Sequence, residues 1–131
     1  MAKIDWREKM HIEGDQLSDL RYAGYSYLRQ GKYDIALKFF KALILLDRDN
    51  IYDCQTLAAL YLETGSPGKS LSYFDKALQL DADHAPTLLN LCKAFFMLGK
   101  VEEGLKLAHI LKGNADPKAS NIARALILAY S

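Results

Sequence analysis

The side chains able to do chemistry in this chain are few, and their spacing suits none of the usual chemistries. Gly68-Lys69-Ser70 has the ending of a phosphate-cradling loop, in which backbone amides and an ammonium grip phosphate oxygens. Such a loop also needs a glycine five residues before Gly68 and a strand leading into it. Glu63 stands at that position, and the preceding residues have helical spacing. Gly68 and Lys69 are more simply the first turn of a helix after Pro67. His11, His84 and His109 are scattered, and no His/Cys pair has metal-ligand spacing. His84 is expected in a turn and His109 on a helix that covers the core. The adjacent Glu102-Glu103 reads as charge favoured at a helix N-terminus rather than an acid/base dyad. No serine has a recognisable nucleophile setting. Cys54 and Cys92 fall on helix faces that call for small or apolar residues, so both are expected as reduced, buried thiols. Nothing here supports an enzyme, a cofactor or a metal, which leaves binding.

Composition narrows what could be bound. The 131 residues fit one domain with a continuous core. Half are hydrophobic and a quarter charged, with 17 basic against 16 acidic residues and a net charge of +1. A nucleic-acid partner would call for a clustered basic face, so none is expected. No apolar run approaches the roughly 18 residues that span a bilayer, so no membrane insertion is expected. Met1-Ala2-Lys3-Ile4-Asp5-Trp6 carries no secretory apolar core. The expected location is the cytoplasm.

The elements that position the binding residues are announced by a period of 34. Gly31, Gly65 and Gly99 obey it, as do Tyr27, Tyr61 and Phe95; Gly24, Ala58 and Cys92; and Ala36, Ser70 and Gly104. Self-similarity at a fixed period of this length means one helical unit stacked on copies of itself. With repeats numbered from Leu17, Ile51 and Ala85, position 8 (Gly24, Ala58, Cys92) and position 20 (Ala36, Ser70, Gly104) are small because two helices cross there. Position 15 is always glycine, suited to the left-handed residue that ends a helix. Ser66-Pro67 and Asp116-Pro117 read as N-cap and first helical residue. First helices are predicted near 17–30, 51–64 and 85–98, and second helices near 33–46, 67–80 and 101–112. Gly104 and Ala108 depart from the pattern, so looser packing is expected in the third repeat.

These marks resemble the tetratricopeptide repeat, most closely in Phe74-Asp75-Lys76-Ala77-Leu78-Gln79-Leu80-Asp81 and in Gly31-Lys32-Tyr33-Asp34-Ile35-Ala36. The resemblance implies an all-α solenoid of three helix–turn–helix repeats, 17–50, 51–84 and 85–118. An N-terminal helical extension, 1–16, precedes them. There Trp6, Met10 and Leu17 could share a helical face, though Gly14 interrupts it. The stripe Ala119, Ile122, Ala123, Leu126, Ile127 and Tyr130 marks 119–131 as a C-terminal capping helix, with Leu128 off the stripe.

In this architecture the first helices line a concave face. The expected groove comprises Arg21, Tyr22, Tyr25 and Leu28 from repeat one, Tyr52, Gln55, Ala59 and Leu62 from repeat two, and Leu89, Asn90, Lys93, Phe96 and Met97 from repeat three. This set is more apolar than a solvated face needs, which marks a partner site for an amphipathic helix or an apolar extended segment. The alternative is that part of the stripe is covered by the N-terminal segment or a second subunit. Tetratricopeptide co-chaperones that capture chaperone C-termini place Lys and Asn at positions 5 and 9 of the first repeat, and Lys and Arg at positions 2 and 6 of the third. Arg21, Tyr25, Pro86 and Asn90 stand there, so that clamp is effectively missing.

Three repeats, a short extension, one final helix and an apolar groove resemble the small tetratricopeptide chaperones of bacterial type III secretion, as does Phe39-Phe40-Lys41-Ala42-Leu43-Ile44-Leu45-Leu46-Asp47. That resemblance implies a cytoplasmic bacterial chaperone for a translocator or, with a small helical co-chaperone, for a needle subunit. It carries Arg21 and Lys93 over as residues that could orient an acidic group of the client. The competing readings are a general adaptor, and a homodimeric scaffold joined through the last helix or through Ile35 and Leu45.

Overall fold

The structure, a computed structural model, describes residues 14–131. Trp6, Met10 and His11, and with them most of the expected N-terminal extension, lie outside the described residues. Seven helices follow in order among the described residues: α1 Gly14–Arg29, α2 Tyr33–Leu46, α3 Ile51–Glu63, α4 Pro67–Leu80, α5 Ala85–Met97, α6 Val101–Leu111 and α7 Pro117–Tyr130. The architecture is an all-α solenoid of helix pairs, α1/α2, α3/α4 and α5/α6, with α7 packed on the last pair.

Glycine sets where each first helix stops. Gly31, Gly65 and Gly99 adopt φ of 75°, 79° and 77°, a left-handed conformation in which a Cβ would be strained. Each turn closes with the same pair of amides. Lys32, Ser66 and Lys100 donate to the carbonyls of Tyr27, Tyr61 and Phe95, while the glycine amides donate to Leu28, Leu62 and Phe96. This paired closure satisfies the otherwise orphaned carbonyls and turns the chain back within two residues. The helix starts are less uniform. Asn50 accepts from the Asp53 amide and Asp116 from the Lys118 amide through their side chains, but Ser66 makes no side-chain cap and leaves Pro67 to begin α4.

Small residues let the paired helices approach. Gly24, Ala58, Cys92, Ala36, Ser70 and Gly104 are all buried. A Cβ on Gly24 would lie 3.0 Å from the Phe40 ring and 3.2 Å from Phe39 Cβ. The third repeat is not loose where looseness was expected. A Cβ on Gly104 would lie 2.7 Å from the Phe96 ring, so that ring fills the space the missing side chain leaves. Cys92 Sγ donates to the Gly104 carbonyl at 3.2 Å, and burial pushes this thiol up to about 11. Both cysteines are free and buried, as expected.

The core runs the length of the stack. Phe40, Leu43, Leu57 and Leu60 fill its first part, Phe74 and Ala77 the middle, and Leu111 with Ala123 the end. Each fully buried Leu or Phe contributes on the order of 1.5–3 kcal/mol relative to exposure. On one side of the stack the backbones of α3 and α5, and of α5 and α7, approach one another, and α1 reaches α3 through the side chains of Arg21 and Tyr25; on the other side the backbones of α2, α4 and α6 stay apart. A stack closed on one side and open on the other curves, and α1, α3 and α5 form its inner face.

The crossing yields a test. Ala36 is completely buried where α1 meets α2, so Ala36→Leu should overpack it and cost about 1–3 kcal/mol in chemical denaturation. Unchanged stability would show that the crossing is not packed as described.

Candidate functional site: the inner face

The sequence-derived groove residues divide into three groups in space. Tyr22, Tyr52 and Met97 are open to solvent, at 72%, 60% and 52% exposure. Tyr25, Leu28, Gln55, Ala59, Asn90 and Lys93 are half-buried on the same helices. Leu62, Leu89 and Phe96 are interior, each under 10% exposed. The interior group reflects how first helices nest. Leu62 packs with Ala58, Phe74 and Ala94, and Phe96 is covered from outside by Tyr130, the two rings stacked 4.0 Å apart and nearly parallel. Tyr130 follows Phe96 by one full period. The capping helix thus occupies the end of the inner face, and it docks through the apolar stripe read from the sequence while Leu128 stays outside at 82% exposure.

The half-buried tyrosine is part interior and part surface. Tyr25 packs edge-on against Phe40 with ring centroids 5.0 Å apart, and its hydroxyl shares a hydrogen bond with Thr56 Oγ1 at 3.2 Å. One face of the ring belongs to the core and the hydroxyl ties α1 to α3. Tyr22 lies alongside the Arg29 guanidinium at 5.9 Å, and Tyr52 meets the His84 ring edge-on at 5.8 Å. His84 ends the polar turn, its ring nitrogen Nδ1 2.7 Å from Thr87 Oγ1. His109 is exposed on α6 and covers no core.

Arg21, carried over as a residue that could orient an acidic group of the client, is paired within the chain. Its Nε donates to Asp53 Oδ1 at 2.8 Å, and its Nη2 donates to Asp53 Oδ2 at 2.6 Å and to Asp47 Oδ2 at 3.2 Å. Asp53 is completely buried, and the fork-on-carboxylate geometry is the strong, directional form of this pairing. The hydrogen bond to Asp53 leads the contributions that raise the guanidinium's pKa above its ordinary value, against the cost of burial. Arg21 therefore fastens α1 to α3, its charge already set against two carboxylates. Lys93, by contrast, forms no ion pair among the described residues. Sequence reasoning missed Asp53. Its signal was a charged residue at an interior helical position, about one period after a basic one.

Among the described residues no group of His, Cys, Asp or Glu could hold a metal ion, and no buried side-chain polar atom lacks a partner. No helix of the described residues is long and apolar enough to cross a membrane. The inner face offers aromatic rings, aliphatic surface, amides and one unpaired ammonium, which is the equipment for holding a polypeptide.

Comparison with known proteins agrees with this arrangement. The tetratricopeptide-repeat family profile matches residues 23–50 and 54–84. The type III secretion chaperone SycD of Yersinia enterocolitica, solved with a peptide of the translocator YopD, superposes with a TM-score of 0.80 at 22% identity, covering 91% of this chain and 95% of that one. PcrH of Pseudomonas aeruginosa, solved with the chaperone-binding region of PopD, gives 0.81 at 23% identity, covering 91% and 93%. The mitochondrial import receptor subunit TOM70 of Saccharomyces cerevisiae is 30% identical over 97 residues, 74% of this chain but 16% of the receptor. The chain thus spans about a sixth of the length of that curated relative. Two of its three helix pairs carry the tetratricopeptide-repeat profile, and its fold resembles that of the type III translocator chaperones.

Two substitutions separate interior from surface. Phe96→Ala should cost about 3 kcal/mol or more in urea unfolding, because it empties the space between Gly104 and Tyr130. Tyr22→Ala with Tyr52→Ala should change stability by no more than about 0.5 kcal/mol. The reverse order would mean that the inner face is misassigned. Arg21→Met should cost about 3 kcal/mol, since it strands the buried Asp53 carboxylate, and Arg21→Met with Asp53→Leu should recover much of that loss. A single variant as stable as the parent would contradict the latch.

Proposed function

We propose that this protein is a cytoplasmic bacterial chaperone that shelters an apolar or amphipathic segment of a type III secretion substrate on its inner face, preventing premature assembly of that substrate. The observation that carries the reading is the exposure of Tyr22, Tyr52 and Met97 on three successive inner helices, beside the half-buried Tyr25 and Leu28. Aromatic rings and methionine left open on one face cost solvation unless a partner covers them, and these side chains adapt to varied apolar surfaces. The narrower groove is Tyr22, Tyr25, Leu28, Tyr52, Gln55, Ala59, Asn90, Lys93 and Met97, with Leu62, Leu89 and Phe96 as its supporting floor. The solved relatives with translocator peptides favour a translocator over a needle subunit, and no co-chaperone is required by this reading.

A second reading is a general adaptor, favoured by the match to one repeat segment of a much longer import receptor. An adaptor joins partners without altering their own assembly. Self-association is the third, through Ile35 and Leu45, which are exposed on α2, or through Leu128 on α7. These faces lie outside the inner one, so a dimer and a client could coexist.

The deciding experiment pairs the protein with a hydrophobic translocator from the same secretion system and reads the size of the mixture by sedimentation. The translocator should sediment as aggregate alone and as a soluble complex with the protein. The triple variant Tyr22→Ser, Tyr52→Ser, Met97→Ser should weaken that complex at least tenfold, the loss of about 1.4 kcal/mol expected for removing exposed apolar anchors. A translocator already monodisperse without the protein, or a complex indifferent to the triple variant, would overturn the proposal.

A further inference from the structure

The inner face ends in a half-open pocket where α5 meets the start of α7. Its volume is about 220 Å³. Leu89 and Ala119, both buried, and the half-buried Ile122 form its apolar floor, while Lys93 from α5 and Lys118 and Asp116 from the start of α7 stand at its rim. Small-molecule sites begin at roughly 300 Å³, so this volume suits a single side chain better than a free ligand. The rim is cationic on balance. Neither lysine forms an ion pair among the described residues, and the one carboxylate present, that of Asp116, is engaged in accepting the Lys118 amide to cap α7.

Resting on the inner-face reading above, we infer that this pocket is the anchor point for one leucine-sized side chain of the client, with a carboxylate beside it in the client sequence held by Lys93 and Lys118. The apolar floor supplies the affinity. The two unpaired ammoniums supply the preference for an acidic neighbour and fix the direction in which the segment runs. The capping helix then has a double role: its stripe closes the core, and its first turn builds the last specificity pocket of the groove. An aspartate or glutamate next to a leucine is what this end selects, whereas the tyrosine-rich first two repeats accept apolar side chains without regard to charge.

The test uses capped hexapeptides with Leu-Asp, Leu-Lys or Ser-Asp at the centre, titrated to millimolar concentration into the isotope-labelled full chain and followed by amide chemical shifts. The Leu-Asp peptide should shift Lys93, Ala119 and Ile122. The Leu-Lys peptide should bind roughly threefold more weakly, the scale of a partly exposed ion pair. The Ser-Asp peptide should bind about tenfold more weakly, for want of the buried side chain. Lys93→Glu, and independently the surface change Lys118→Glu, should erase the preference for Leu-Asp over Leu-Lys without moving the melting temperature. Equal binding by all three peptides overturns the inference. So do shifts confined to Tyr22, Tyr52 and Met97, a result that would refute the pocket while leaving the inner face as a client site. Loss of all shifts in the presence of an intact translocator complex would likewise refute the pocket alone.

Discussion

Everything in this molecule depends on how closely the two helices of each repeat approach. Each helix pair carries a small residue on both helices: Gly24 and Ala36, Ala58 and Ser70, Cys92 and Gly104, all buried. Side-chain volume at those points sets the spacing, and the spacing sets where the inner helices stand. The clearest case is Gly104, whose missing Cβ is replaced by the ring of Phe96. The exchange keeps packing close to the density that interiors require, although it draws a side chain away from the groove and into the core.

That exchange explains how the inner face is divided. Rings and aliphatic chains nearest the next inner helix are consumed in holding the stack together: Leu62 against the third repeat, Leu89 and Phe96 against the cap. Those one step round the helix, Tyr22, Tyr52 and Met97, are left largely open to solvent among the described residues. The Arg21–Asp53–Asp47 cluster does similar structural work at the other end. A buried carboxylate held by a guanidinium fork fixes the angle between α1 and α3, and with it the distance between Tyr22 and Tyr52. Arg21 and Asp53 are thus committed to shape, whereas Lys93 and Lys118 at the far end form no ion pair among the described residues.

The fold was legible in the chain because repetition multiplies weak signals. A single glycine or alanine says little, but Gly31, Gly65 and Gly99 at one spacing specify three identical turns, and the helix limits read from that spacing agree with those observed to within about three residues. The site was only partly legible. Helical periodicity tells which residues share a face but not how far the next helix covers it, and coverage is what separates exposed Tyr22 from interior Phe96. The pairing of Arg21 was hidden for a related reason, since its partner Asp53 lies in another helix and only the fold brings them together. The pocket at the cap was hidden because it draws on α7, which was read as closing the core and not as adding to the groove.

The central claim is that the client lies along α1, α3 and α5. Amide hydrogen exchange of the protein, measured with and without the proposed translocator client, tests that most directly. Slower exchange on binding should follow the inner helices and the first turn of α7, with α2, α4 and α6 unchanged. Protection confined to the outer helices would contradict the account.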